Sequence, residues 1–358
     1  MTLIVDAHED IAWNMLCYGR DYTRPAAETR ARESGDTTIF KETGVAMLGL
    51  PEWVAGKVAV IFATLFVEPR RSPFAGSHSK TYTTVDEANA IAMRQIDLYR
   101  RLADEHKQFH LIGAHSDLDG VLAAWDGDQE RRIGIVFLME NADAIRKPDE
   151  VERWHAEGLR IVGPAWMATR YCGGTREPGP LTDDGVRLLR HMQDLNMILD
   201  IRHMAEESFF QAIDRYDGPI IASHSNPRRY ADTDRNLSDD MIRALVQRDG
   251  VIGIVPFNSF LLPDWRRNRG DPKEAADLTH VVRAIDYVCQ RAGDALHVGL
   301  GTDFDGGFGA EATPVGIDTV ADLQKIGEGL KDAGYSPVDI EAIMSGNWLR
   351  MLRQSLPR

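Results

Sequence analysis

Apolar residues in this chain fall in short unbroken runs. The runs are LIVDAHED near the start, VAVIFATLF (58–66), IGIVFLMEN (133–141), RIVGPAW (160–166), MILDIRH (197–203), IIASHS (220–225), VIGIVPF (251–257) and HVGLGTDFDG (297–306). Continuous apolar stretches of this length suit strands covered on both faces. Amphipathic stretches with helical spacing lie between most of them, such as VDEANAIAMRQIDLYRRLADEH (85–106) and LSDDMIRALVQRD (237–249), the latter opening on Ser238 as an N-cap. Strands alternating with helices imply a parallel sheet, and eight of them invite closure into a (β/α)8 TIM barrel of the α/β class. A doubly wound sheet is the rival, but no GxGxxG follows any strand.

Two segments read as peripheral insertions. Residues 18–55 are polar and mixed, an excursion after the first strand. Residues 258–280 carry Pro263, Pro272 and the Arg266-Arg267-Asn268-Arg269 run, a long loop with a helix. The tail opens on Ser336-Pro337, an N-cap and N1 pair, and continues as an apolar helix to about Leu352. With no repeat, low-complexity tract or interdomain linker, the reading is one barrel domain over 1–358.

Composition narrows the partners. The chain carries 41 Lys and Arg against 55 Asp and Glu, a formal charge of −14. Such a surface repels nucleic-acid phosphates and anionic membranes, which leaves a small molecule or peptide as the expected substrate. The three cysteines, Cys17, Cys172 and Cys289, form no CxxC pair and suggest neither a disulfide scaffold nor a thiolate zinc site. The start, MTLIVDAHED, turns acidic by its sixth residue, so no signal peptide or membrane span is expected and the cytoplasm is the default location.

The ionisable residues cluster at the ends of the candidate strands. His8 and Asp10 close the first, Glu140 the third, His203 closes MILDIRH, His224 sits in IIASHS and Asp303 closes HVGLGTD. In a (β/α)8 barrel those ends converge on one mouth, where active sites sit. His8 and Asp10, two apart on a strand, point to one side about 6.6 Å apart, while Glu9 faces away. Nitrogen and oxygen ligands suit zinc or another borderline divalent ion. Three histidines and two carboxylates exceed the needs of one catalytic zinc, so two ions sharing Glu140 as a bridge account for all of them. A water bridging such ions would become the nucleophile, and Asp303 is placed to take its proton and pass it to a leaving amine. Each residue alone has a plainer reading: strand-end polar groups for His8 and Asp10, a buried ion-pair partner for Glu140, a core histidine for His203, a hydrogen-bonded turn for His224. The second HxD pattern, His115-Ser116-Asp117, reads as a helix start with no role.

At these residues the chain resembles the membrane (renal-type) dipeptidases, a branch of the amidohydrolase-like barrels. The matching segments are VDAHEDIAWN, GIVFLMENADAI, LDIRHM, ASHSNPR, DRNLSDDMIRAL, GVIGIV, GLGTDFDG and GNWLRML, in order over nearly the whole chain. The resemblance implies a binuclear zinc dipeptidase, with His8 and Asp10 on one ion, His203 and His224 on the other, Glu140 bridging and Asp303 catalytic. Arg235 is similar to the arginine that grips the substrate's terminal carboxylate, a task suited to its bidentate geometry. A homodimer would suit the family. The chain departs from it in the pocket walls. Trp166 stands where the better-studied members carry a histidine, and Phe257-Asn258 where a tyrosine is frequent, so Trp166 and Asn258 are expected to shape the substrate site. The alternatives are a related amidohydrolase acting on another amide, an N-acyl amino acid or a lactam, and a metal-binding barrel without turnover.

Overall fold

The computed structural model describes residues 2–127 and 130–358. Eight parallel strands form the centre: β1 (Ile4–Glu9), β2 (Val58–Phe66), β3 (Ile133–Glu140), β4 (Leu159–Gly163), β5 (Ile198–Asp200), β6 (Ile220–Ala222), β7 (Val251–Ile254) and β8 (Val298–Leu300). Neighbours in sequence pair throughout, from Val5 with Val60 to Ile254 with Leu300. Asp6 of β1 pairs with Leu300 of β8, which closes the barrel. Every residue of β2 and β3 is buried, as unbroken apolar runs require when helices cover the outside and packed side chains fill the inside.

The eight expected runs correspond to these eight strands, with five ends moved inward; IIASHS and VIGIVPF stop pairing at Ala222 and Ile254. RIVGPAW leaves the sheet at Gly163, before Pro164, whose ring removes a donor. The β5 and β8 ladders stop at Asp200 and Leu300, so His203 and Asp303 sit on the loops beyond. A ninth strand, Phe109–Leu111, pairs with the lower half of β3 outside the barrel, while β4 pairs only with the upper half, Phe137–Glu140.

The helix Val85–Glu105 starts at a capping box between Thr84 and Glu87, and the Ser238 hydroxyl accepts from Met241 N at the start of Asp239–Gln247. Residues 18–55 hold three short helices, Ala26–Glu33, Thr37–Thr43 and Leu50–Ala55. The tail is interrupted: Pro337–Glu341 passes through a π-helical turn, Ala342–Gly346, into Asn347–Ser355. Among the described residues, no helix is long and apolar enough to cross a membrane.

Candidate active site

The strand ends at the C-terminal mouth are held in place by backbone and carboxylate ties. Asp6 accepts from Thr302 N (2.8 Å) and Thr302 Oγ1 (2.6 Å), and Asp303 N donates to His8 O (3.0 Å), which fastens β1 to the loop after β8. Glu9 faces the other way, as the strand alternation requires, and accepts from Trp53 Nε1 at 3.0 Å. Asn141, His203 and Asp303 follow their strands with φ of 74°, 64° and 57°. Left-handed backbone at non-glycine residues costs on the order of 1 kcal/mol or more each, and such strain concentrates at functional sites. It turns the chain sharply at the rim, so side chains just past the strands point back over the mouth.

Six groups meet there, all buried. His8 Nε2 stands 3.5 Å from Glu140 Oε2, 3.8 Å from Asp303 Oδ1 and 3.9 Å from Asp10 Oδ2. On the other side of the same carboxylate, Glu140 Oε1 is 2.7 Å from His203 Nε2 and 3.6 Å from His224 Nε2. The two oxygens of Glu140 therefore face two different ligand sets: His8 with Asp10, and His203 with His224. Within each set the candidate ligand atoms lie within 4.8 Å of one another.

Hydroxyl groups set the imidazole tautomers. Ser223 Oγ donates to Asp200 Oδ2 (2.6 Å) and lies 2.8 Å from His224 Nδ1. With the Ser223 proton spent on Asp200, His224 Nδ1–H is the donor, and the Nε2 lone pair is left facing Glu140. Thr175 Oγ1 is 3.1 Å from His203 Nδ1. Thr64 Oγ1 donates to Asp10 Oδ1 at 2.6 Å. Partners of this kind orient metal-ligating side chains and tune their basicity. Asp200 also lies within 4.8 Å of His8 and His224 as a candidate group. It already accepts from Ser223 N (3.0 Å), Ser223 Oγ and Arg202 N (3.2 Å), which fits an orienting role.

The electrostatics of the cluster follow from burying carboxylates together. Burial disfavours the His8 cation, yet Glu140, Asp10 and Asp303 together outweigh that and push it up to about 10. Burial and the Glu140 charge raise Asp10 to about 6 against the pull of His8. Asp303 is driven well above the usual carboxylate range by burial and by Asp10. Glu140 goes the other way, held well below that range because His8 and His203 outweigh its burial. His224 is held neutral by burial and by the His8 charge. Without cations, protons hold this cluster together. His8 Nε2 is buried, has no hydrogen-bond partner, and faces the carboxylates of Glu140, Asp303 and Asp10. That donor set fits divalent cations, since buried like charges need compensation.

Arg235 is partly exposed, with its guanidinium over the Phe260 ring at 5.3 Å. Its Nη1 has no hydrogen-bond partner, and the charges of Asp303 and Glu140 act on it while burial lowers its pKa. Arg202 holds the Arg235 carbonyl through Nη1 (2.5 Å) and the His224 carbonyl through Nε. Trp166 is partly exposed beside His203, ring centroids 6.3 Å apart. Asn258 is buried in the loop after β7. Its Nδ2 donates to Lys273 O (3.2 Å), its Oδ1 has no partner, and no hydrogen bond or ion pair joins it to the six groups among the described residues.

Several contributors escaped the sequence reading. Asp200 obeys the same strand-end rule as Glu140 and was findable. Ser223, Thr64 and Thr175 look like any buried strand or loop hydroxyl. Gly306 is required by contact: a Cβ there would sit 2.2 Å from Asp303 Oδ1 and 2.6 Å from Asp10 Oδ2. His115 heads a helix whose Asp117 accepts from Gly113 N and Ala114 N, and its own N–H donates to Pro357 O (2.8 Å), away from the mouth groups.

The family model for membrane dipeptidase (peptidase family M19) matches residues 1–356. An uncharacterised Klebsiella pneumoniae protein from the pqqA 5′ region is 33% identical over 213 residues, 57% of this chain and 75% of that protein. Dipeptidase tcpJ of Claviceps purpurea is 27% identical over 312 residues, 85% of this chain and 68% of its own. Among solved structures, a Rhodobacter sphaeroides metallo peptidase liganded with a phosphinate mimic of the dipeptide L-Ala-D-Ala superimposes with a TM-score of 0.79 at 24% identity, covering 99% of this chain and 100% of that one. At that identity the likeness shows the shared barrel fold.

Proposed function

Because the chain belongs to the membrane dipeptidase family of metallopeptidases, we propose that it hydrolyses the peptide bond of dipeptides with two divalent ions, zinc by ligand type. His8, Asp10 and one oxygen of Glu140 would hold the first ion. His203, His224 and the other oxygen would hold the second. The observation that carries this reading is the split of Glu140 between His8 at 3.5 Å and His203 at 2.7 Å. A single ion gives no reason to turn the two oxygens of one buried carboxylate toward separate imidazole sets.

When bound, the ions would supply Lewis acidity toward the substrate carbonyl and acidify water at neutral pH. The protein's own groups do the rest. Asp303 stands at the rim, 3.8 Å from His8 Nε2, as the one carboxylate of the six groups outside both ligand sets. It would accept the proton of the attacking water and return it to the leaving amine. Arg235, partly exposed and with a buried Nη1 that has no hydrogen-bond partner, would bind the substrate's carboxylate and so fix the scissile bond over the cluster. The dipeptide mimic bound by the Rhodobacter sphaeroides relative supports placing dipeptides first in a substrate panel.

A second reading keeps the ions and the carboxylate-binding arginine but changes the amide, admitting an N-acyl amino acid. Trp166 favours it, because an indole beside His203 can donate one hydrogen bond and cannot become a cation. The test is metal content together with turnover of dipeptides and N-acyl amino acids after zinc loading. About two ions per chain and dipeptide turnover are expected. Two ions with turnover of N-acyl amino acids alone would favour the second reading. No bound ion after loading would overturn both.

A further inference from the structure

Resting on the dipeptidase reading, we infer that Trp166, with Phe66 and Phe74, forms an aromatic wall that selects substrates with a flat, apolar side chain on the amino-terminal residue. The wall is separate from the barrel core. Trp13, Cys17 and Phe66 make a small apolar cluster of their own, with Tyr18, Ile91 and Trp166 packed against it. Phe66 sits edge-on to Trp13 (4.9 Å between centroids) and to Trp166 (5.0 Å), and Phe74 adds a further edge at 5.9 Å from Trp166. Trp166 is partly exposed, and Phe74 is 56% exposed despite its size. Aromatic surface left open beside a buried polar site is where an apolar ligand group gains most from contact.

The wall is built to keep its place. Arg71 makes two hydrogen bonds to Glu177 (3.1 and 2.8 Å) and one to Ala168 O (2.6 Å), tying the loop that carries Phe74 to the loop that carries Trp166. Arg176 stands over the Phe74 ring at 4.4 Å. The indole N–H of Trp166 makes no hydrogen bond with the described residues, so the ring is held by its faces and edges.

Barrel order decides which end of the substrate meets the wall. Phe66 ends β2, Phe74 follows β2, and Trp166 follows β4. Arg235 follows β6, and Phe260 beneath it follows β7. In a ring of eight strands these are opposite arcs; His203, after β5, lies between them, and Glu140 ends β3 in the middle of the first arc. A dipeptide whose carboxylate lies at Arg235 and whose peptide bond lies over Glu140 extends its amino-terminal residue toward β2–β4. There the side chain meets Phe66, Phe74 and Trp166.

The test compares zinc-loaded wild type with Trp166→Phe, Trp166→Ala and Phe74→Ala. Turnover is read on Phe-Ala, Ala-Phe and Ala-Ala, and binding by calorimetry on phosphinate mimics of Phe-Ala and Ala-Ala. Expected is a preference of about tenfold or more for Phe-Ala over Ala-Ala in kcat/KM and in mimic affinity, the scale of a well-filled apolar pocket. Trp166→Phe keeps that preference. Trp166→Ala and the loop variant Phe74→Ala reduce it severalfold while Ala-Ala turnover changes less. Dipeptide turnover with no Phe-Ala preference, or a preference for Ala-Phe, would overturn the wall and leave the dipeptidase reading intact. Failure to turn over any dipeptide, with the Phe-Ala mimic still favoured and Trp166→Ala abolishing that, would overturn the dipeptidase reading and leave the wall. Absence of both would remove both.

Discussion

Replacing Glu140 with glutamine separates the charge of this residue from its volume. Glutamine fills the same space in the buried rim, so packing around β3 is preserved. What changes is that one of two acceptor oxygens becomes an amide NH2. Glu140 Oε1 faces His203 Nε2 at 2.7 Å and His224 Nε2 at 3.6 Å, and Oε2 faces His8 Nε2 at 3.5 Å. Whichever way the amide turns, one imidazole set confronts N–H donors where it had a carboxylate. A unit charge about 4 Å from another is worth on the order of 4 kcal/mol at a partly buried site, and a dication feels about twice that. Allowing half for relaxation still leaves roughly a thousandfold in affinity for at least one ion. Glu140→Gln is therefore expected to bind no more than one zinc per chain after dialysis at micromolar zinc, measured by elemental analysis. Dipeptide kcat/KM should fall by roughly a thousandfold or more. Glu140→Asp, which keeps the charge one methylene short, should recover part of both. Two ions per chain in Glu140→Gln, with less than a tenfold change in affinity and an unchanged melting profile, would refute the bridging role.

Loading and pH should be coupled. Between about pH 6.5 and about pH 10 the ion-free folded protein keeps a proton on His8 that the unfolded chain has released. Ion-free stability therefore falls as pH rises through that window, whereas ions displace that proton and bind more tightly. The melting-temperature gap between zinc-loaded and chelated protein should widen from about pH 7 to pH 9, and a constant gap would mean that loading releases no protons from this cluster. Arg235→Ala should raise KM for dipeptides by roughly tenfold to a hundredfold, with little change for the corresponding amides that lack the carboxylate; equal losses on both would assign Arg235 to folding. Gly306→Ala should keep the fold by circular dichroism but weaken zinc binding, because the new methyl displaces the carboxylates of Asp303 and Asp10; wild-type zinc affinity in that variant would show that the loop yields freely.

The parts of this molecule that were legible in the sequence are those set by the hydrogen-bonded ladder. A strand buried on both faces is mostly apolar up to its end, so His8 and Glu140 declare their place at the mouth once the apolar runs are read as parallel strands; Asp6, inside β1, is the exception, and it is paired with Thr302. The same rule applies to Asp200, which ends the β5 ladder three residues before His203. Where the ladder stops, period-two reasoning stops with it. Nothing in MILDIRH or HVGLGTD announces that the chain leaves the sheet at Asp200 or Leu300 and turns through left-handed conformations at His203 and Asp303, because no glycine marks those turns. Phe109–Leu111 was invisible for a related reason, since three residues carry no measurable period. The loops obey tertiary geometry alone. Trp166 lies beside His203 because Arg71 ties two loops together, and Arg235 reaches the mouth because Arg202 holds its carbonyl. The six groups at the mouth thus sit at or just past the strand ends, whereas Trp166 and Phe74 of the inferred wall lie on irregular loops, which can change without disturbing the ladder. Trp166 can therefore vary while the six groups at the mouth keep their geometry, since the two depend on different parts of the structure.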